Sequence, residues 1–316
     1  MNDKAHYLTD KEIERIEKKL SGIYSRANKE LSEKTDQYFK KFAEMDAEKL
    51  KLVESGEMTE KEYKRWRRNK IMTGKHWQNM KEQTAMELAR VNKTALEYVN
   101  GRLPSVYALN YNHSATEIET LSNNAVSFEL INKRAVEDLV KSGDKSLLPL
   151  KKLDPAKDIP WNMGRVNAEV LQGIIQGESI QKIAKRIENV TSANKASSVR
   201  AARTIVNGTE NKARHDAAEK AQEKGVVMGK CWIATNDLRT RDWHMDAWDD
   251  YGDKSKAIPL DEPFIVNGEE MMYPGDKSAS PSNVYNCRCS HKNVIMGFSS
   301  ILPPEKRGKI KVTFND

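Results

Sequence analysis

Apolar residues in the first hundred positions recur at steps of three and four. Ile13, Ile16, Leu20, Ile23 and Ala27 form the narrow seam of a helix that pairs with another helix. Thr9, with Glu12 three residues on, has the spacing of a capping box at a helix start. The step of four to Leu31 departs from the seam, so the pattern predicts a helical hairpin rather than a long coiled coil, with Ser55-Gly56 as the break. Thr59 and Glu62 repeat the capping spacing ahead of a second helical region carrying Trp77, Met80, Leu88, Val91, Ala95 and Tyr98. Gly74 bends this region, and Asn100-Gly101 followed by Pro104 ends it. Shorter helices are expected around Ser114 to Leu121 and Phe128 to Val140.

From Leu147 to Pro160 the chain holds three prolines and no helical period, and residues 151–160 are expected to be a linker. Beyond it, Met163, Val166, Val170 and Ile174 make one stripe that ends at Gly177. Ser179 then opens a helix with Ile180, Ile183 and Ile187, and a third should run from about Ser192 to Lys224, stopped by Gly225. After Gly225 the residues are β-branched and aromatic, and Val226 to Thr235 reads as a strand. Phe264 to Val266, Met271 to Tyr273 and Cys289 to Ile295 are weaker strand candidates.

The predicted fold class is therefore mainly α with a small α+β C-terminal domain: an N-terminal helical hairpin or bundle, then three helices and a small antiparallel sheet. The expected domains are residues 1–150, the 151–160 linker, residues 161–298 and a basic C-terminal tail over 299–316.

Composition narrows this only a little. Of 316 residues 31% are charged and 7% aromatic, which suits long solvated helices better than a large sheet-based enzyme core. The net charge of +7 permits an acidic partner such as nucleic acid without requiring one. Three cysteines, Cys231, Cys287 and Cys289, make a disulfide framework improbable and a reducing site of synthesis expected. The first residues lack the apolar core of a signal peptide, and no run of about 18 apolar residues occurs, so no membrane partner is expected.

Two groups of residues carry candidate chemistry. Lys61, Lys64, Arg65, Arg67, Arg68 and Lys70 are interleaved with Tyr63 and Trp66. They read either as contacts to a phosphate backbone or as a solvated helix face with its aromatics turned inward. The second group follows the first strand: Asp237, Arg239, Arg241, Asp242 and His244 lie within eight residues, in what reads as a loop, with Cys287, Cys289 and His291 further on. Three readings stand side by side. The charges form a polar frame that pins the turns. Alternatively His244, Cys287, Cys289 and His291 bind zinc, against the plainer view that both cysteines are small buried residues. In the third, His244 is a general base oriented by Asp237, the centre of a metal-dependent nucleic-acid-processing enzyme. No phosphate loop, nucleophile elbow or His-Glu-x-x-His helix accompanies that last arrangement.

The order of these motifs resembles a known family. Gln176-Gly-Glu-Ser-Ile-Gln-Lys-Ile-Ala-Lys-Arg-Ile187 comes first, then Ala202-Arg-Thr204 with Glu210, Asn211 and Arg214. Trp232-Ile-Ala-Thr-Asn-Asp-Leu-Arg-Thr-Arg241 with His244 follows, and Asn286-Cys-Arg-Cys289 closes the series. Together they are similar to the phage Mu F-like head-morphogenesis proteins of tailed bacteriophages over about residues 160–298. Trp66, Trp77, Asn92 and Tyr107-Ala-Leu-Asn-Tyr-Asn112 also resemble the leading region of minor head proteins from phages of Gram-positive bacteria.

The resemblance implies a virion protein rather than an enzyme, with no obligatory cofactor. It would be bound to the phage portal protein inside the head, be made in the host bacterial cytoplasm, and act in head assembly and DNA packaging or ejection. Major capsid or scaffold protein and non-specific double-stranded DNA are further implied partners, with residues 1–150 docking on the portal or capsid interior. The signature residues it implies are Arg203, Glu210, Asp237, Arg239, Arg241, His244, Asn286, Cys287, Arg288 and Cys289. Some relatives carry cysteines where Arg241 and His244 stand, and of those two positions only His244 offers a metal ligand in this chain.

Overall fold

The computed structural model describes residues 3–142, 148 and 153–302, and for residues 71–73 the backbone alone. The chain packs as two compact units, neither contiguous: one comprises residues 1–16, 99–151 and 200–316, the other 17–98 and 152–199.

Helix α1 (Lys4–Glu54) is one uninterrupted 51-residue helix. It starts earlier than the Thr9 signal predicts, because the Asp3 side chain accepts the His6 N–H and opens the helix. Thr9 lies inside the helix and bonds back to the Ala5 carbonyl. The buried stripe does not stop at Leu31. It continues through Thr35, Phe39, Phe42 and Asp46, two of which are polar, and that is why an apolar count loses it. Thr35 Oγ1 donates to the Leu31 carbonyl, and Asp46 receives the Tyr63 hydroxyl.

The break at Ser55-Gly56 stands where expected. Helix α2 (Glu60–Thr73) opens with the Thr59/Glu62 capping box fully formed. Gly74 separates it from α3 (Lys75–Asn100). Pro104 does more than terminate α3: it lies in the first turn of α4 (Leu103–Leu121), where its missing N–H needs no partner. Helix α5 (Lys133–Lys141) is capped by Asn132.

The expected linker is only partly a connection. Asp154 caps α6 (Pro155–Ile175), Pro155 occupies its first position, and Pro160 lies in its second turn, so the later prolines initiate a helix instead of excluding one. Residues 149–152 lie outside the described residues, as does the tail from residue 303. Ser179 caps the short α7 (Ile180–Lys185), and α8 (Ile187–Glu223) ends just before Gly225.

In the 17–98/152–199 unit the core gathers Leu31, Phe39, Phe42, Trp77, Leu88, Val166, Val170, Ile183 and Val190. A buried polar chain crosses the same unit. The Tyr24 hydroxyl donates to Asn92 (2.5 Å), Asn92 donates to Asn194 (2.7 Å), and Asn194 donates to Asn162 (2.8 Å). Such groups must be satisfied internally once water is excluded, which gives Asn92 a structural role.

The other unit contains the sheet. Strand β1 (Val226–Ile233) lies between β2 (Ile258–Pro259) and β5 (Ser290–Phe298), all antiparallel. Val226 pairs with Phe298 and Ile233 with Ser290, with a bulge at Val227/Met228. A separate hairpin joins β3 (Phe264–Val266) to β4 (Glu269–Met271). Asn267 and Gly268 make its turn with positive φ at both positions (51° and 75°), the conformation that matches strand twist and favours Asn-Gly.

The sequence placed a strand over 271–273, but the chain leaves the hairpin after Met271 to make the Tyr273-Pro-Gly-Asp turn. That turn presses on α8. A Cβ on Gly208 would meet the Gly275 carbonyl oxygen at 2.9 Å, and Gly275 itself has φ +79°. The segment expected as a loop up to His244 is instead a turn followed by α9 (Asp242–Tyr251). Trp243, Ala247, Trp248 and Tyr251 share one helical face against the local core, a period hidden in the sequence by the surrounding charges. A short helix α10 (Pro281–Val284) precedes β5.

Candidate metal centre and its polar frame

The signature residues divide into two layers around the start of β5. The outer layer is charged and exposed. Asp237 accepts both Arg288 guanidinium nitrogens at 2.6 Å, and its Oδ1 also accepts the Arg239 backbone N–H at 2.9 Å. Those hydrogen bonds hold the Asp237 carboxyl well below the usual carboxylate range. Thr235 Oγ1 donates to the Arg288 carbonyl (2.8 Å), Thr240 donates to the Thr235 carbonyl, and Arg241 reaches the Tyr285 carbonyl. Asn286 adopts a left-handed φ of 55° and gives its N–H to Thr204. Arg203 lies half-buried one residue earlier on α8. The outer layer is thus the polar frame expected for a segment with few apolar residues of its own. Asp237 is engaged by Arg288, so its carboxylate is not the orienting partner of His244.

The inner layer is His244, Cys287 and Cys289, all essentially inaccessible. His244 comes from the first turn of α9, and the two thiols from the short link between α10 and β5. All three ligand atoms lie within 4.8 Å of one another. Cys289 Sγ is 3.5 Å and Cys287 Sγ 3.7 Å from the same nitrogen, His244 Nδ1. Around them pack Trp232, Phe264, Val266, Met271 and Val284. Trp232 meets the His244 ring edge to face at 5.4 Å. The neighbouring Cys289 thiol and burial push the Cys287 pKa well up, while Cys287 and His244 beside it draw the Cys289 thiol below its ordinary value.

His291, the fourth sequence candidate, does not join them. Its backbone N–H and ring Nδ1 both face Asn211 Oδ1 at 3.1 Å, and its ring lies 6.3 Å from that of His215. Burial pulls its pKa well below the ordinary histidine value. His291 lies in β5, which begins only at Ser290, whereas Cys287 and Cys289 precede that strand.

Glu210 and Arg214 are buried behind the site on α8. Arg214 Nη2 donates to Glu210 (2.9 Å) and to Asn110 (3.3 Å), while both its terminal nitrogens hold Asp3 at 2.5 and 3.0 Å. His6 Nδ1 lies 2.8 Å from Glu210. Burial alone would lower the His6 pKa, but the Glu210 carboxylate outweighs it and raises the value to about 9.

Asn211 was in the motif but not among the predicted site residues. It bridges the Cys289 carbonyl and the His291 N–H, completing the backbone pairing just where β5 starts. A buried carboxamide one residue after a signature glutamate was the available signal. Lys230, fully buried with its ammonium on the Met272 carbonyl at 2.8 Å, gave none.

The basic run lies on α2. Lys61, Lys64, Arg65, Arg68 and Lys70 are exposed, whereas Arg67 turns inward to Asp46 (3.3 Å) and the Glu178 carbonyl (3.1 Å). Trp66 stacks on Phe42 at 5.9 Å, so the aromatics of the run belong to the core.

This arrangement, a helical scaffold ending in a small sheet whose entry is pinned by an Asp/Arg/Cys frame, defines a class. Residues 164–292 match the model of the Phage Mu protein F like protein family. Beyond the segment, the chain is similar to Minor head protein GP7 of Bacillus phage SPP1, 26% identical over 293 residues that span 91% of this chain and 85% of GP7. It is also 28% identical over 193 residues to a protein of Enterococcus faecalis named NAD(+)--arginine ADP-ribosyltransferase EFV. That alignment spans 61% of this chain but 38% of the other protein. No solved structure matches the chain.

Proposed function

We propose that this protein is a minor head component of a tailed bacteriophage, acting in head morphogenesis. The observation that carries the reading is the collinear similarity to GP7 along nine-tenths of the chain, with the Mu F-like segment in place within it. In the finer form of the proposal the protein is associated with the portal inside the head and touches packaged double-stranded DNA without sequence preference.

Two features support the DNA contact. Five basic side chains of the α2 run face solvent, and a nearby cleft of about 1190 Å³ is lined by Lys34, Lys40, Lys41, Lys70 and Lys75. Cations in such a row release counterions from a phosphate backbone on binding. Among the described residues no helix is long and apolar enough to cross a membrane.

The proposal is for a structural protein. The thiol and imidazole groups are sealed from solvent, and a general base needs reach to a substrate proton. EFV's named activity belongs to a protein most of whose length lies outside the alignment.

The test has two arms. The protein should copurify with its cognate portal protein and be detected in virions by mass spectrometry. Its affinity for duplex DNA should fall steeply with salt, and charge reversal of Arg65, Arg68 and Lys70 should flatten that slope by about 0.9 per lost phosphate contact. Absence from virions together with no portal association defeats the head-protein reading. Salt-independent DNA binding, or none, defeats the DNA contact alone.

A further inference from the structure

His244 Nδ1 presents a bonding problem. A neutral imidazole nitrogen carries either one proton or one lone pair, yet two thiol sulfurs converge on this one atom at 3.5 and 3.7 Å. Hydrogen bonding accounts for one of them. Both distances are what a shared tetrahedral cation would set: with zinc bonds of ~2.3 Å to sulfur and ~2.05 Å to nitrogen, ligand atoms lie ~3.6 Å apart for S···N and ~3.8 Å for S···S.

We infer that His244, Cys287 and Cys289 bind one zinc ion through Nδ1 and two thiolates. Two thiolates and a divalent cation sum to zero charge, so the complex can be buried without a net ionic cost. The ligands come from rigid places: the first turn of α9 and a three-residue link held at one end by the Asn286 turn and at the other by Asn211. Nδ1 ligation leaves the proton on Nε2, which is buried among apolar side chains, its ring edge to face with Trp232. His291 is not a ligand, since its ring is engaged by Asn211. The ion ties α9 to the entry of β5, the two elements that the Asp237–Arg288 pair also joins from outside. The inference is independent of the head-protein reading and would hold or fail in the purified chain alone.

Metal content and cobalt substitution test it. The full chain, expressed with zinc and freed of loosely held metal, should contain one zinc per molecule by plasma mass spectrometry. Cobalt(II) added to chelator-treated protein should give tetrahedral d–d bands with thiolate charge transfer from two sulfurs. Cys287→Ser, Cys289→Ser and His244→Ala should each weaken binding at least tenfold, while His291→Ala and Cys231→Ser should leave it unchanged.

If the ligand variants fail to fold, the cobalt spectrum of the unaltered chain still reports the donor set. A chain with no zinc and no thiolate–cobalt band overturns the inference. So does a Cys287–Cys289 disulfide in freshly purified protein, seen as a loss of two hydrogens in the intact mass. Loss of metal in His291→Ala equal to that in His244→Ala overturns the three-ligand assignment.

Discussion

Replacing Arg214 by methionine removes a cation that is 5% exposed and keeps the length of its aliphatic stem. The guanidinium holds Asp3, Asn110 and Glu210, and Glu210 is 1% exposed. Without Arg214 this carboxylate keeps only His6 among the described residues. Breaking one partner out of a buried ion pair costs about 3–5 kcal/mol, mostly from the charge left behind. With a urea slope of about 1–3 kcal/mol per molar, the unfolding midpoint of the unit containing Arg214 should fall by more than about 1 M. Far-ultraviolet dichroism measures that midpoint. Hydrogen exchange along α1 and α8 should localise the change to the segments 4–16 and 200–223.

The paired variant Arg214→Met/Glu210→Met discriminates the cause. Removing both charges leaves no fully buried orphan, only the partly exposed Asp3 and His6, so it should recover part of the loss, and the double-mutant coupling should be about 2 kcal/mol or more. If Arg214→Met stays within about 1 kcal/mol of the unaltered protein, or the paired variant is as unstable as the two single changes added, the network is not held as described.

Two further outcomes follow from the same geometry. His6 has its folded pKa raised from 6.5 to about 9, so its contribution is complete below about pH 6.5 and is lost as the pH rises through 9. Stability of the unaltered chain minus that of His6→Gln should shrink between pH 6 and 9.5 by up to about 3 kcal/mol. Taking the difference isolates His6, because burial lowers Lys230 to about 8 and gives the opposite slope above that pH. Gly208→Val should lower stability by about 2 kcal/mol or more through collision with the Gly275 carbonyl. Gly164→Ala on α6, where nothing lies within 4 Å of the added carbon, should raise it by about 0.5–1 kcal/mol. Thermal unfolding of the two variants should therefore shift in opposite directions.

Much of the helical order was legible because it was written in short-range signals. The Thr59/Glu62 box, the Ser179 cap and the stop at Gly225 each fix an end by chemistry within four residues, and each stands where the sequence placed it. What an apolar count does not show is a buried stripe carried on by polar residues. Thr35 and Asp46 continue one in α1, and the charges around His244 concealed α9. Of the four candidate ligands, three converge; His291 falls in a strand that starts one residue past Cys289, and its ring faces Asn211 instead. The composition of the units had no local signal at all. A unit assembled from residues 1–16, 99–151 and 200–316 is defined by long-range pairs such as Asp3 with Arg214, which no periodicity encodes. The Mu F-like segment is thus not self-sufficient: its buried Glu210 and Arg214 are satisfied by Asp3, His6 and Asn110, outside the match.

The contact between His6 and Glu210 also sets a schedule. Its partners are 204 residues apart. At roughly 5–20 residues per second a ribosome needs on the order of 10–40 s to reach the second after making the first. Through that interval the first turns of α1 exist as a nascent helix without their carboxylate and guanidinium partners, and the ladder from β1 to β5 closes later still. The stability of this unit is acquired almost wholly at the end of synthesis. A ribosome-bound chain should therefore leave residues 4–16 open to protease until residues past 298 have emerged, and then close them in a single step.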